Sequence, residues 1–196
     1  YFGKNQVFFR YSAAHSTIVI NDTNISELSE KNGYKRIPKR IITSFDDSTE
    51  NYILNASHDG YSNNFNLLVK RTIKVSKNGN IVLGTDQIIA MKRLTKLHFY
   101  SIRFHLMPNC NCAVTNNDKK VIIKTKKGNA WYFEAFENKV IVDESIYIGD
   151  GESPLESKQI IISLPGFKFD FSIALTINSR ASSLVFIDGA KPPSSP

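Results

Sequence analysis

Short runs of alternating apolar and polar residues, separated by turn-forming residues, recur along almost the whole of this 196-residue sequence. No long stretch has the three-to-four-residue apolar spacing of an amphipathic helix. The clearest turn is Lys77-Asn78-Gly79-Asn80, because Asn-Gly between two alternating runs is typical of a β-hairpin. The pattern predicts an all-β chain, a large two-sheet antiparallel β-sandwich with short or no helices.

The alternation also predicts where the strands lie and how many domains they form. Strands are expected at 40–43, 51–57, 65–75, 81–83, 88–93, 97–106, 119–126, 130–136, 140–148, 158–164 and 169–178. The polar segment 23–48 is expected to be a long excursion with one short strand. The length suits one core, so we predict one domain over 1–189, followed by a Pro- and Ser-rich flexible tail over 190–196.

The stretch from Phe8 to Asp22 is rich in aromatic and β-branched residues, which favours an extended conformation. Alternation along it would place His15 on one face with Phe9, Tyr11, Ala13, Thr17 and Val19. A lone histidine in such a position is usually a core residue bonded to a backbone carbonyl. A functional role for His15 is the alternative.

Lysine and arginine number 25 against 18 acidic residues, a net charge of +7 that favours polyanionic partners. The basic residues are scattered, and no helix-turn-helix, zinc-finger or RNA-binding aromatic pattern accompanies them, so nucleic acid is not the favoured partner. No apolar run approaches the roughly 18–20 residues that a membrane-spanning helix needs. The charge by itself leaves acidic polysaccharide and anionic lipid as polyanionic partners, with nucleic acid less favoured.

Three further features of the sequence bear on the state of its cysteines, the extent of the chain and the class of enzyme that it can be. Cys110 and Cys112 are separated by one residue, a spacing that strains a disulfide, so we expect free thiols. The chain begins with Tyr1 and lacks a signal-peptide pattern, from which we expect a piece of a longer protein. A Gly-x-Ser-x-Gly motif and glycine-rich phosphate loops are both missing from the sequence, so a standalone hydrolase is not expected.

A series of short motifs is more specific than any single one of them. Ala14-His15-Ser16-Thr17 resembles the Ala-His-Asn/Ser-Thr strand of the heparinase II/III-like polysaccharide lyases of bacteria. Motifs that continue the resemblance in the same order are Ser57-His58-Asp59-Gly60-Tyr61, Lys70-Arg71, Ile102-Arg103-Phe104-His105-Leu106, Trp131-Tyr132-Phe133, Glu144-Ser145-Ile146-Tyr147 and Lys158-Gln159-Ile160. The resemblance covers residues 1–178.

The resemblance implies a two-part enzyme that cleaves acidic polysaccharides such as glycosaminoglycans by β-elimination at a uronic acid. An N-terminal helical toroid precedes a C-terminal β-sandwich in this family, and the polysaccharide lies between them. Much of the acid and base chemistry comes from the toroid. Such relatives work in the periplasm or at the cell envelope, which is the localisation that the resemblance suggests.

The resemblance also implies a metal ligand. In the family, a metal, commonly zinc, is held through the histidine that matches His15, one histidine of a His-x-His-x-Asp stretch and an aspartate shortly after that stretch. This sequence lacks the His-x-His-x-Asp stretch. Zinc is therefore expected in a longer parent through His15 and not in this chain alone, since one ligand does not hold zinc against water. Without the toroid, the chain by itself is expected to be inactive.

Several polar and aromatic residues within or near the motifs are candidates for binding an acidic sugar. They are Arg10, His58, Tyr61, Lys70, Arg71, Arg103 and His105. Arginine suits this role because its planar guanidinium pairs with an anion through two hydrogen bonds. Surface charges, a core tyrosine at Tyr61 and an exposed turn histidine at His58 remain the alternatives. A non-catalytic carbohydrate-binding or structural β-sandwich is the alternative function.

Overall fold

The computed structural model of the chain describes residues 8–29, 33–136, 138–149, 153–164 and 170–178, so the predicted tail over 190–196 lies outside the described residues. Strands dominate it, and the prediction of an all-β fold is confirmed. The strands are β1 (Ile18–Ile20), β2 (Glu27–Leu28), β3 (Tyr34–Arg36), β4 (Ile41–Asp47), β5 (Asn51–Tyr61), β6 (Leu67–Ser76), β7 (Ile81–Ala90), β8 (Tyr100–His105), β9 (Asn111–Val114), β10 (Lys120–Lys124), β11 (Ala130–Ala135), β12 (Val140–Tyr147), β13 (Leu155–Leu164) and β14 (Asp170–Asn178). Short helices lie at Phe8–Arg10, Ser12–Ala14, Ser62–Phe65 and Asn116–Asp118.

The strands form two large antiparallel sheets and one small hairpin. The large sheet has eight strands in the order β4-β5-β6-β7-β14-β11-β10-β9, and the small sheet has four in the order β1-β8-β13-β12. The hairpin pairs β2 with β3. Throughout the described parts of the chain, no helix has the length and apolar character needed to cross a membrane.

The core lies between the inner faces of the two sheets. Alternate residues of the strands that supply most of it point inward, as the pleat of a strand requires. The small sheet contributes Ile18, Ile20, Tyr100, Ile102, Val140, Ile160, Ile162 and Leu164, all 3% exposed or less. The large sheet contributes Tyr61, Leu67, Val69, Ile88, Val121, Ile123, Phe133 and Ala135 to the same cluster. This shared core fixes which residues remain on the outer faces.

The predicted hairpin at Asn78-Gly79 is confirmed, because β6 pairs with β7 directly across it, Val75 opposite Val82. Gly79 has a φ of +73°, which a glycine adopts without steric cost. The predicted short strand at 40–43 is longer than expected, since β4 runs from Ile41 to Asp47. The pattern missed β9 at Asn111–Val114, which carries Cys112, one of two free cysteines.

The prediction of one extended stretch from Phe8 to Asp22 is wrong. Two helical turns occupy Phe8–Arg10 and Ser12–Ala14, and the strand is confined to Ile18–Ile20. The Ser12 hydroxyl accepts a hydrogen bond from the Ile25 amide at 2.8 Å, while the Ser12 amide donates to Asn24 Oδ1 at 2.8 Å. These side-chain bonds to the backbone compete with strand pairing and hold the turn.

Candidate functional site

The loop that carries His15 is attached to the edge of the small sheet. We define the His15 loop as residues Ser12–Thr17. The Arg103 amide donates to the Thr17 carbonyl at 3.2 Å, and the His105 amide donates to Ser16 Oγ at 3.0 Å. The His15 amide closes the turn by donating to the Ser12 carbonyl at 3.1 Å. Strand β8 therefore fixes the position of this loop.

His15 is exposed at the end of the second helical turn, rather than lying on an apolar strand face. The alternative of a buried core histidine is therefore wrong, while the expected metal-ligand role in a longer parent stays a prediction. The His15 backbone, by contrast, is held before the ring by the bond to Ser12 and after it by the bonds to Ser16 and Thr17. The structure thus presents an imidazole to solvent from a well-anchored loop.

His105 uses both ring nitrogens inside the protein. Its Nε2 lies 3.0 Å from the Ala13 carbonyl oxygen, and its Nδ1 lies 2.9 Å from Ser145 Oγ. A carbonyl only accepts, so Nε2 carries the proton and Nδ1 accepts from the Ser145 hydroxyl. Desolvation lowers the pKa of His105, and the neighbouring charges of Arg103 and His15 lower it further, against the effect of the Ala13 bond. His105 is a neutral link between the His15 loop and β12.

Arg103 lies two residues before His105 on β8, so both side chains are on the outer face of the small sheet. Its Nη1 donates to Ser101 Oγ at 2.6 Å, and the residue is half-buried. A cavity of about 470 Å³ on this face is lined by Arg103, Ser101, Asp143 and Phe99, among others. His15 and His105 do not line this cavity, but the charges of both Arg103 and His15 act on the His105 ring, which places the three side chains near one another at this end of the small sheet.

Arg71 approaches the His15 loop from the inner face of the large sheet. It forms a bidentate ion pair with Asp86, and its Nη1 donates to the Ser16 carbonyl at 2.6 Å. Its guanidinium also lies over the Phe104 ring, 5.7 Å from the centroid. Arg71 borders two cavities on this inner side, one of about 260 Å³ that His58 also lines and one of about 400 Å³ that His105 also lines.

His58 and Tyr61 lie within β5, which continues past the expected end at Ser57. Asp59 lies between them and bonds to the segment before β4, because its Oδ1 accepts hydrogen bonds from the Lys39 and Arg40 amides at 2.9 and 3.1 Å. His58 is half-buried, and desolvation lowers its pKa. Tyr61 is 0% exposed and donates to the Ile18 carbonyl at 3.0 Å, so its ring is not available to stack on a sugar.

The two remaining candidates lie apart from this group. Lys70 is on the outer face of the large sheet, opposite Ser57 and Gln87. Arg10 donates to the Gly33 carbonyl at 2.7 Å and lies 4.6 Å above the Tyr34 ring centroid. Arg10 therefore braces the segment beside the small hairpin.

Metal ligands are sparse around His15. The described residues contain no group of three or more histidine, cysteine or acidic side chains that could hold a metal ion. His105, whose ring bonds to Ala13 of the His15 loop, already uses both of its nitrogens. The residues that the structure describes do not by themselves fit zinc.

The sequence did not single out Asp86 or Ser145 as site residues. Asp86 is 3% exposed, and its partner Arg71 lies directly opposite on the neighbouring strand. The sequence signal for Asp86 is an acidic residue at an inward position of a strand that otherwise alternates. Ser145 lies on β12 and meets His105 across β13, a contact between strands far apart in sequence that no local pattern reveals.

The family model described as heparinase II/III-like, C-terminal, matches residues 1–185. The chain belongs to the heparinase II/III-like family. This match confirms the family suggested by the motif series. No protein of curated function matches the sequence.

Solved structures share the fold of this heparinase II/III-like domain at low sequence identity. The heparan sulfate lyase HepC from Pedobacter heparinus superposes with a TM-score of 0.71 at 13% identity, over 91% of this chain and 26% of that chain. A HepC mutant from the same organism gives 0.68 at 13% identity, over 92% and 26%. A structure of heparinase III gives 0.63 at 15% identity, over 89% and 25%. This chain spans about a quarter of the length of these enzymes.

Proposed function

We propose that this chain is the β-sandwich domain of a polysaccharide lyase that cleaves an acidic, uronate-containing polysaccharide by β-elimination. Family membership supports the proposal, and so do the names of the similar structures, which are those of a heparan sulfate lyase and heparinase III. The net charge of +7 suits a polyanionic substrate. The end of the small sheet at the His15 loop would then face the polysaccharide.

The grouping of His15 and Arg103 at the end of the small sheet carries this proposal. β-Elimination needs a group that neutralises the uronate carboxylate, a base for the C5 proton and an acid for the leaving oxygen. Arg103 offers a guanidinium that pairs with a carboxylate or sulfate, and His15 offers an exposed imidazole. His105 would act as a positioning residue, because both of its nitrogens are occupied by Ala13 and Ser145.

The remaining acid and base groups would come from a helical domain of the same protein, as the family resemblance implies. On this proposal the 196-residue chain alone binds acidic polysaccharide weakly and does not cleave it. Zinc would be held through His15 only with ligands from outside the described residues. Metal analysis of the longer protein and of its His15→Ala variant tests that part, since the variant should lose bound zinc.

The test of the proposed function uses a longer protein that contains this chain and its upstream region. Incubation with heparan sulfate should raise the ultraviolet absorbance that accompanies the unsaturated uronate product. Arg103→Ala should reduce the rate more than tenfold. Lys127→Ala, at the exposed turn between β10 and β11 of the large sheet, should leave the rate unchanged. No absorbance increase with any uronate polymer would contradict the proposal.

A second candidate function rests on an exposed aromatic pair. Phe45 and Tyr52 stack with centroids 6.1 Å apart and planes at 19°, and Phe45 is 63% exposed. An exposed ring of this kind is what a non-catalytic carbohydrate-binding module would use. Affinity electrophoresis of the chain on neutral and acidic glycans tests this function. Tight binding that Phe45→Ala abolishes and Arg103→Ala leaves intact would favour the binding module over the lyase domain.

A further inference from the structure

Strand β4 lies at one edge of the large sheet, and no strand among the described residues pairs with its outer side. It is the first strand in the sheet order, and all seven of its residues, Ile41–Asp47, are exposed. Its pairing with β5 runs from Ile41 to Asp47 without a bulge, and the strand contains neither proline nor lysine. Soluble proteins usually protect an edge strand with a bulge, a proline or a lysine. Without such protection, the free backbone groups of the edge can pair with another strand.

The backbone groups that point away from β5 can be assigned from two hydrogen bonds. The Asp59 amide donates to the Arg40 carbonyl at 3.2 Å, and the Ser48 amide donates to the Asn51 carbonyl at 3.0 Å. In an antiparallel ladder, such bonded pairs recur at every second residue. The even-numbered residues of β4 therefore bond to β5. Ile41, Thr43, Phe45 and Asp47 direct their amides and carbonyls outward.

The sequence of this edge is self-complementary about Thr43. Residues 39–47 read Lys-Arg-Ile-Ile-Thr-Ser-Phe-Asp-Asp, with basic residues before the centre and acidic residues after it. A second copy running antiparallel through Thr43 would set Ile41 opposite Phe45 of the second copy. It would also set Arg40 opposite Asp46 of the second copy. Each of these pairs occurs twice in a symmetric dimer, and opposite charges across strands stabilise the pairing.

Two neighbouring registers have the same outward backbone bonds, and neither sets opposite charges across from one another. Centring the pair on Ile42 would set Lys39 opposite Phe45 and Arg40 opposite Ser44. Centring the pair on Ser44 would set Ile41 opposite Asp47 and Ile42 opposite Asp46, so that each carboxylate meets an apolar side chain. Charge complementarity therefore selects the register centred on Thr43. The exposed areas agree with it, because Ile41 is 66% and Phe45 is 63% exposed before pairing.

We propose that the occupant of this edge is a second copy of this chain, paired through β4 in a symmetric antiparallel dimer. The two large sheets then form one continuous sheet across the dimer axis. The paired strands lie at the opposite end of the large sheet from β9. The inference does not rest on the proposed lyase function, because it uses only the edge strand and its sequence.

Light scattering after size-exclusion chromatography and amide hydrogen exchange together test the dimer. The wild-type chain should have twice the monomer mass at high concentration and dissociate on dilution. In the dimer the amides of Ile41, Thr43 and Phe45 should be protected, whereas dilution should free these amides and leave those of Ile42 and Ser44 protected. This alternation distinguishes strand pairing from association through any other surface.

Charge variants supply the matched comparison. Asp46→Arg places arginine opposite arginine at both ends of the strand pair, so the dimer should be lost with the fold retained. Adding Arg40→Asp to that variant restores opposite charges and should restore the dimer. Glu156→Arg, which changes the net charge equally at an exposed position on β13, should dimerise like the wild type.

Two outcomes would overturn the proposal. One is a wild-type chain that stays monomeric at every concentration up to the millimolar range. The other is association that Asp46→Arg leaves unchanged, or that grows into larger species without a dimer, since either result places the contact elsewhere.

Discussion

Arg71 and Asp86 lie directly opposite one another on β6 and β7 and form two hydrogen bonds, at 2.7 Å from Nε and 2.6 Å from Nη2. Asp86 is 3% exposed, so the pair is largely removed from water. The third contact of the guanidinium, to the Ser16 carbonyl, joins the large sheet to the His15 loop. The pair thus connects the core of one sheet to the candidate site on the other.

Removing one member of this pair should destabilise the protein strongly. Asp86→Ala leaves the Arg71 guanidinium half-buried without its carboxylate, which costs about 3–5 kcal/mol for a buried pair. Urea unfolding followed by circular dichroism measures the change in the free energy of unfolding. The double variant Arg71→Met/Asp86→Leu removes both charges and should be much closer to wild type. A loss below about 1 kcal/mol in Asp86→Ala would show that the pair is not desolvated as the structure indicates.

Two buried tyrosines should respond oppositely to loss of the hydroxyl group. Tyr61 donates to the Ile18 carbonyl at 3.0 Å, whereas the Tyr100 hydroxyl has no hydrogen-bond partner among the described residues. Tyr61→Phe should lower the free energy of unfolding by about 1–3 kcal/mol, because a buried carbonyl loses its donor. Tyr100→Phe should be neutral or stabilising. Equal losses in the two variants would contradict the hydrogen-bond assignment.

His58 should make stability depend on pH. Desolvation lowers the pKa of His58 below 6.5, and the nearby charge of Arg71 acts in the same direction against that of Asp59. As pH falls from 7.5, the unfolded chain takes up this proton before the folded chain does. The contribution of neutral His58 to the free energy of unfolding is therefore full above the pKa of the unfolded chain. It is lost as pH falls through the lower pKa of the folded chain.

Histidine NMR titration and urea unfolding at several pH values check this expectation. His58→Asn keeps an acceptor for the Gly60 amide, which now bonds to His58 Nδ1 at 3.2 Å, but cannot titrate. The variant should show a shallower loss of stability between pH 7.5 and 5. An NMR pKa above the ordinary value for His58 would contradict the predicted direction.

Much of the fold follows from the sequence, because alternation and turn residues are local. The Asn78-Gly79 hairpin and the strand that carries Arg103 were predicted from residues within a few positions of each other. Strand order is not local: β14 pairs between β7 and β11, which are far apart along the chain. The position of His15 depended on Ser12 bonding to Asn24 and Ile25, a contact that periodicity does not detect.

The role of His105 can be separated from that of His15 by matched variants. The His105 Nε2 donates to the Ala13 carbonyl, and a glutamine side chain can supply the same kind of N–H. His105→Gln should therefore keep the His15 loop in place, and its free energy of unfolding should stay within about 1 kcal/mol of wild type. His105→Ala loses both bonds and should be less stable. In a longer protein with lyase activity, His105→Gln should retain most of the rate, whereas His15→Gln should lose it. Equal loss of rate in the two glutamine variants at unchanged stability would mean that His105 contacts the substrate directly, contrary to its assignment as a positioning residue.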